Sequence, residues 1–139
     1  CEPRVALSDY QRAKTGALFA AATAAGAAAA GADGRPWRAL GDRLGEAYQV
    51  ADDIRDVLSD PAVLGKPIGQ DVALGRPSAA RQLGLDGAIF HFQALVQGAI
   101  DAVPECKGAP HLRALVRMES ERLVPRVWCE DAARRAAHA

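Results

Sequence analysis

The sequence predicts an all-α protein, and three observations lead to that prediction. Hydrophobic residues make up 50% of the chain but aromatic residues only 5%, so much of the apolar content is alanine. Alanine is the best helix former, and its small side chain lets helices approach closely. Apolar residues also recur at helical spacing, and no segment alternates as a strand does. We therefore expect a bundle of helices that pack partly through small side chains.

The helix bounds follow from caps, apolar periodicity, glycines and prolines. The predicted helices run from Ser8 or Asp9 to about Ala30, from about Trp37 to Leu58, from Pro77-Ser78 to about Leu83, from about Gly87 behind an Asp86 cap to Val103, and from about His111 to Val127. Pro125 should end or kink the last helix. The tail from Glu130 is predicted to be frayed.

Three of the predicted helices have an apolar stripe that should face the core. The predicted core positions are Trp37, Leu40, Leu44, Ala47 and Ala51 on the second helix, Ile89, Phe92, Leu95, Val96 and Ile100 on the fourth, and Leu112, Leu115, Val116 and Leu123 on the last. Gly16 and Gly26 each cost the first helix about 1 kcal/mol relative to alanine. For Gly26 we expect tight helix packing, whereas Gly16, next to Lys14-Thr15, fits either packing or ligand approach.

An acidic cluster lies near the carboxyl end of the second helix. Gln49, Asp52, Asp53 and Asp56 fall at i, i+3, i+4 and i+7, which places them on one face within an arc of roughly 80°. Like charges at these spacings destabilise a helix by about 0.2–0.5 kcal/mol per pair, and the helix dipole also disfavours acids at this end. Carboxylate and amide oxygens suit a hard cation such as Mg²⁺. A solvated acidic surface is the alternative interpretation.

Residues 59–77 lose the helical periodicity and are rich in glycine and proline. Unstructured loops longer than roughly 12–15 residues are uncommon in a compact domain, and this connection is longer. Gly65-Lys66 and Gly75-Arg76 place open backbone N–H groups beside cations, an arrangement that favours phosphate oxygens. The segment is thus either a phosphate-binding loop or a solvated surface loop.

Composition excludes some partners and indicates a compartment. The 17 basic and 17 acidic side chains cancel, so charge gives no reason to expect nucleic acid or an acidic membrane as partner. The apolar run from Ala17 to Ala32 is too short and alanine-rich to be transmembrane. No secretory signal is visible, and the widely spaced Cys1, Cys106 and Cys129 are typical of reduced thiols in a cytoplasmic protein.

The order of these motifs resembles that of a known family. Lys14-Thr15, then Gly45–Gln49 leading into Asp52-Asp53-Ile54-Arg55-Asp56, then Gly65-Lys66, Asp71 and Gly75-Arg76, resemble the carboxyl-terminal half of a trans-isoprenyl diphosphate synthase, most like bacterial geranylgeranyl diphosphate synthases. The resemblance covers residues 8–80 well and the later helices loosely. It implies the isoprenoid synthase type of helical bundle around a deep pocket, usually in a homodimer.

The resemblance also implies an activity and roles for particular residues. The activity is a trans-prenyltransferase reaction, in which isopentenyl diphosphate condenses with an allylic diphosphate to give geranylgeranyl or farnesyl diphosphate. Asp52, Asp53 and Asp56 match the second aspartate-rich motif, which with the first motif holds three Mg²⁺ ions. Lys14, Lys66 and Arg76 match diphosphate-binding positions. Thr15 and Gln49 match groups along the path of the developing carbocation; Asp52 and Lys14 also count among the catalytic residues.

Some features depart from the family pattern. The first aspartate-rich motif is absent, so residues 1–139 are interpreted as the carboxyl-terminal portion of a single domain, and sequence upstream of Cys1 is expected. Arg76 stands where lysine is usual, and Tyr48 where phenylalanine is usual. A non-catalytic regulatory subunit of a heteromeric synthase is the alternative, while a terpene cyclase or a plain helical interaction protein fits less well. Product chain length is not encoded in this part of the sequence.

Overall fold

The computed structural model describes residues 7–59 and 79–138 of the chain. The helices are α1 (Leu7–Ala29), α2 (Arg38–Ser59), α3 (Ala79–Asp101), α4 (Ala109–Leu123) and α5 (Arg126–Ala137), with a 3-10 turn at Arg35–Trp37 before α2. No strand occurs within these described ranges. The prediction of an all-α protein is therefore confirmed.

Helices α1 and α2 form an antiparallel pair joined by a glycine turn. Gly31 has φ of 84°, a left-handed conformation that glycine adopts without a Cβ penalty. Pro36 lies at the start of the 3-10 turn, as expected for a residue that lacks an N–H group. The Thr23 hydroxyl donates to the Trp37 carbonyl oxygen at 2.7 Å, which ties α1 to the beginning of α2.

Two glycines on α2, rather than those predicted on α1, allow the close approach of these helices. A Cβ on Gly41 would lie 2.5 Å from the Ala20 Cα, and one on Gly45 would lie 3.1 Å from the Gly16 Cα. A Cβ on Gly16 itself would meet nothing within 4 Å, so the packing interpretation of Gly16 was wrong and the approach of a ligand stays a prediction. The expectation for Gly26 was wrong, because a Cβ there would meet nothing within 4 Å.

Helix α2 is central because its other face packs on α3. The main core cluster consists of Ala47, Val50, Ala51, Ile54, Ala88, Ile89, Phe92, Leu95, Val124 and Ala132. A second cluster of Leu40, Ala99, Val103 and Ala109 is flanked by Trp37, Leu44, Leu112 and Val116. Most predicted core positions are therefore confirmed. Leu115 is an exception, since it is 42% exposed.

A kink divides α3 into a short first segment and a long second one. Gly84 has φ of 72° and ψ of 162°, which only glycine adopts readily. The predicted break between two helices is confirmed. Asp86, predicted as a cap, lies inside the helical run, and its carboxylate accepts three hydrogen bonds from the Nε and Nη2 groups of Arg135. The Arg135 guanidinium lowers the pKa of this carboxyl.

The predictions for the carboxyl-terminal region were partly wrong. Pro125 does interrupt the last predicted helix, so α4 ends at Leu123 and a separate helix follows. The tail is part of α5 rather than frayed. Ala132 is fully buried in the main cluster, and Arg135 pairs with Asp86 at 2.7 Å. These contacts hold the end of the chain against α3.

Three smaller observations complete the fold. Helix α1 already includes Ser8 and Asp9, which are therefore helical residues and not caps as predicted. Cys106 and Cys129 are free thiols. Among the helices of the described part, none combines the length and apolar character needed to cross a membrane.

Candidate functional site

The predicted acidic face of α2 lies opposite the buried face of the same helix. Asp52 and Asp56 are exposed and Asp53 is half-buried, whereas Ala51 and Ile54 between them are fully buried. Core packing thus fixes the rotation of α2 and leaves the carboxylates outside the core. Gln49, one turn earlier, is half-buried on the same side.

The amino-terminal half of α1 runs beside this face. Arg12 contacts Asp53, and Gly16 lies against Gly45. Lys14-Thr15 fall between these two contacts, so in an antiparallel pair they are level with Gln49. The structure therefore brings Lys14-Thr15, Gln49 and the aspartates to one end of the α1–α2 pair.

Lys14 occupies a different side of α1 from the packing contacts. At about 100° per residue, it lies roughly 160° around the helix from Gly16, and it is exposed. Thr15 is half-buried. Among the described contacts, none joins Lys14 to the aspartates. The two predicted groups share one end of the helix pair without direct contact.

Arg12 is a site residue that the sequence analysis missed. Its Nη2 donates to Asp53 Oδ2 at 2.8 Å, with side-chain exposures of 38% for Arg12 and 18% for Asp53. Arg12 thus supplies part of the positive charge that offsets the repulsion among the three aspartates. Arg12 and Asp53 are 41 residues apart, so neither helical periodicity nor motif spacing relates them.

An aromatic pair joins α1 to α2 at Tyr48, the residue before Gln49. The rings of Phe19 and Tyr48 have centroids 5.6 Å apart and planes at 38°. Tyr48 remains 43% exposed, so one side of its ring faces away from the core.

The fit of Mg²⁺ to this face depends on donor chemistry. Within residues 7–59 and 79–138, no group of three or more His, Cys, Asp or Glu side chains is arranged to hold a metal ion. Mg²⁺, however, usually takes one or two carboxylates and completes its shell with water and substrate phosphates. Asp52 and Asp56 are exposed carboxylates one turn apart, a donor pair that meets this requirement. The residues present therefore fit a magnesium ion shared with a phosphate ligand.

Two predicted site residues lie outside the described residues. Lys66 and Arg76 belong to the stretch 60–78, so their positions relative to the acidic face stay predictions. The described part also contains a groove of about 280 Å³ lined by residues of α3, α4 and α5, among them Phe92, Val96 and Val124. None of the predicted site residues that the structure describes lines that groove.

The fold and site together define an all-helical protein with a carboxylate-rich face beside the amino-terminal end of its first helix. The family model described as Polyprenyl synthetase matches residues 5–97, more than half of the chain. The chain belongs to the polyprenyl synthetase family.

Curated relatives with high identity are synthases. The geranylgeranyl diphosphate synthase of Cereibacter sphaeroides is 51% identical over 124 residues, covering 89% of this chain and 43% of that protein. That of Rhodobacter capsulatus is 45% identical over 123 residues, with coverages of 88% and 43%. The farnesyl diphosphate synthase of Escherichia coli is 46% identical over 103 residues, with coverages of 70% and 34%. The chain thus spans less than half the length of these relatives, and comparison with solved structures gave no significant match.

Proposed function

We propose that this chain supplies part of the diphosphate site of a trans-prenyltransferase that condenses isopentenyl diphosphate with an allylic diphosphate. The observation that carries the proposal is the placement of Asp52 and Asp56, which core packing leaves exposed on one face of α2 beside the Lys14-Thr15 end of α1. The names of the relatives, geranylgeranyl and farnesyl diphosphate synthases, support this substrate class.

The first role of these residues is to bind the diphosphate. Asp52, Asp53 and Asp56 would hold Mg²⁺ with the phosphate oxygens, and Lys14, Lys66 and Arg76 would contact the remaining negative charge. Bound Mg²⁺ acts as a Lewis acid that stabilises the charge on the departing diphosphate. Fixed cations aimed at the same oxygens lower the barrier further, because the negative charge grows as the C–O bond breaks.

The second role is to guide the carbocation that this cleavage leaves. Thr15 and Gln49, both half-buried and level with one another along the helix pair, would present oxygen dipoles to the developing positive charge. The allyl cation would then add to the double bond of isopentenyl diphosphate, and the new carbocation would lose a proton to the released diphosphate, which forms the double bond of the longer prenyl diphosphate. Water must be excluded during this step, because it would quench the carbocation.

A chimera tests the proposal. The matched 43% of the Cereibacter sphaeroides synthase is replaced by this chain, and incorporation of labelled isopentenyl diphosphate is measured with an allylic diphosphate and Mg²⁺. We expect Asp52→Asn to lower kcat by about 100-fold or more, the effect typical of removing one transition-state electrostatic group. Asp42→Asn is the matched control, because Asp42 is an exposed acid on the same helix outside the predicted site.

Two outcomes would contradict this function. Equal activity of the Asp52→Asn and Asp42→Asn chimeras would remove the acidic face from the reaction. A folded chimera without any activity would instead favour the non-catalytic regulatory role. A homodimer, which the resemblance implied, stays a separate proposal, and sedimentation of the active chimera measures it directly.

A further inference from the structure

The Arg12–Asp53 ion pair is the described contact that joins α1 directly to the acidic face. The Gly16–Gly45 contact, one turn along α1 from Arg12, fixes the distance between the two helices. This distance places the Arg12 guanidinium beside Asp53. Asp53 is the least exposed carboxylate of the three, with 18% of its side chain accessible. A partly shielded pair of this kind is screened less by salt than a surface pair.

The pair has a consequence for any cation at this face. Asp53 Oδ2 accepts from Arg12 at 2.8 Å, and an oxygen cannot direct the same lone pair at a metal ion while it holds that bond. The guanidinium also adds a permanent positive charge beside the cluster, since arginine does not deprotonate in proteins. Both effects oppose a second cation. Asp52 and Asp56, which are exposed, are less affected.

We propose that Arg12 is a positioning residue that acts as an internal cation. It engages Asp53 in the metal-free protein and competes with a metal ion for the Oδ2 atom of this carboxylate. Arg12 thereby weakens metal binding at the α2 face and keeps Asp53 oriented until a metal–diphosphate complex arrives. The inference rests on the proposed function for the identity of the metal site, but its test requires no prenyl transfer.

The experiment measures metal affinity of the 139-residue chain with Mn²⁺ as the probe, by the electron paramagnetic resonance signal of the free ion. We expect Arg12→Met to bind Mn²⁺ more tightly than the unchanged chain, by up to about fivefold, the range of partly exposed ion pairs. Arg113→Met is the matched control. Arg113 is also a partly shielded arginine, with 26% exposure and a 2.7 Å bond to Glu105, and its loss should leave Mn²⁺ affinity unchanged.

A double-mutant cycle connects the effect to the pair itself. In an Asp53→Asn background, Arg12→Met should give little further gain, because the carboxylate that it liberates is no longer present. Asp52→Asn combined with Arg12→Met should lower the affinity again, which would locate the ion on this face. Arg12→Gln, with the charge removed but a donor kept, repeats the test if Arg12→Met does not give the helical circular dichroism of the unchanged chain.

The outcomes separate this inference from the proposed function. Equal or weaker Mn²⁺ binding by both Arg12 variants, or no binding by any of them, would overturn the role of Arg12. Tighter binding by the Arg12 variants, together with an Asp52→Asn chimera of normal activity, would uphold the ion-pair competition and reject the prenyltransferase site.

Discussion

At the scale of single residues, glycine and arginine decide how α1 and α2 meet. Gly41 and Gly45 lie where a side chain would collide with the α1 backbone. Arg12 lies where the resulting close approach brings a guanidinium to Asp53. A wider helix separation would move Arg12 away from this carboxylate, so the small residues of α2 are also part of the electrostatics of the acidic face.

Alanine substitutions at two helical glycines should change the free energy of unfolding in opposite directions. Gly41→Ala should lower the free energy of unfolding by about 1–3 kcal/mol, the usual cost of overpacking, because its Cβ would lie 2.5 Å from Ala20 Cα and from the Phe19 carbonyl oxygen. Gly26→Ala should raise it by about 0.5–1 kcal/mol through helix propensity, since that Cβ meets nothing within 4 Å. Urea denaturation measures both, and destabilisation of similar size in the two variants would refute the packing argument.

At the scale of elements, α5 shows how a polar segment becomes part of the core. Most of its residues are exposed, but Ala132 is fully buried against the main cluster. Trp128 and Cys129 pack against the same cluster, and burial raises the pKa of the Cys129 thiol. One small buried face and the Arg135–Asp86 pair are enough to dock this helix on α3.

Adjacent alanines of α5 test that docking. Ala132→Leu should destabilise the protein by about 1–3 kcal/mol, because a fully buried alanine has no room for three additional carbons. Ala133→Leu makes the same chemical change on an exposed position of the same helix and should stay within about 0.5 kcal/mol of the unchanged chain. Thermal unfolding followed by circular dichroism distinguishes them, and equal melting temperatures would mean that α5 is not docked.

At the scale of the whole molecule, stability is concentrated around α2. This helix packs on α1 through glycines and on α3 through the main cluster, in which Ala51, Ile54, Ala88 and Ile89 are completely buried. Helix α4 packs mainly on the smaller second cluster, through Ala109, Leu112 and Val116, and it exposes Leu115 and Met118, at 42% and 55%. The acidic face therefore lies on α2, the helix with the most extensive packing in the described part.

Native-state hydrogen exchange should report this distribution of stability. Amides in the middle of α2 and in the second segment of α3 should exchange slowest, because opening them exposes the main cluster. Amides of α4 should exchange faster, by at least about tenfold, since a difference of 1.4 kcal/mol in opening free energy gives that ratio. Mass spectrometry of peptic fragments measures the rates. Slower exchange in α4 than in α2 would contradict the central role of α2.

The sequence by itself determined the helical class, most core positions, and the acidic face of α2. These properties are local, because they follow from residue spacing along a single helix. The family resemblance, and not helical periodicity, assigned Lys14-Thr15 and the aspartates to one site, and that assignment stays a prediction.

The tertiary structure alone decided which residues meet across the chain. The Arg12–Asp53 bond, the backbone contact at Gly45 and the docking of Ala132 each join residues far apart in sequence. No periodicity relates such residues, because the distance between two helices depends on every side chain in their interface. The expectations that failed, at Gly26, Leu115 and the carboxyl-terminal tail, failed for this reason: each depended on a neighbour that local pattern does not specify.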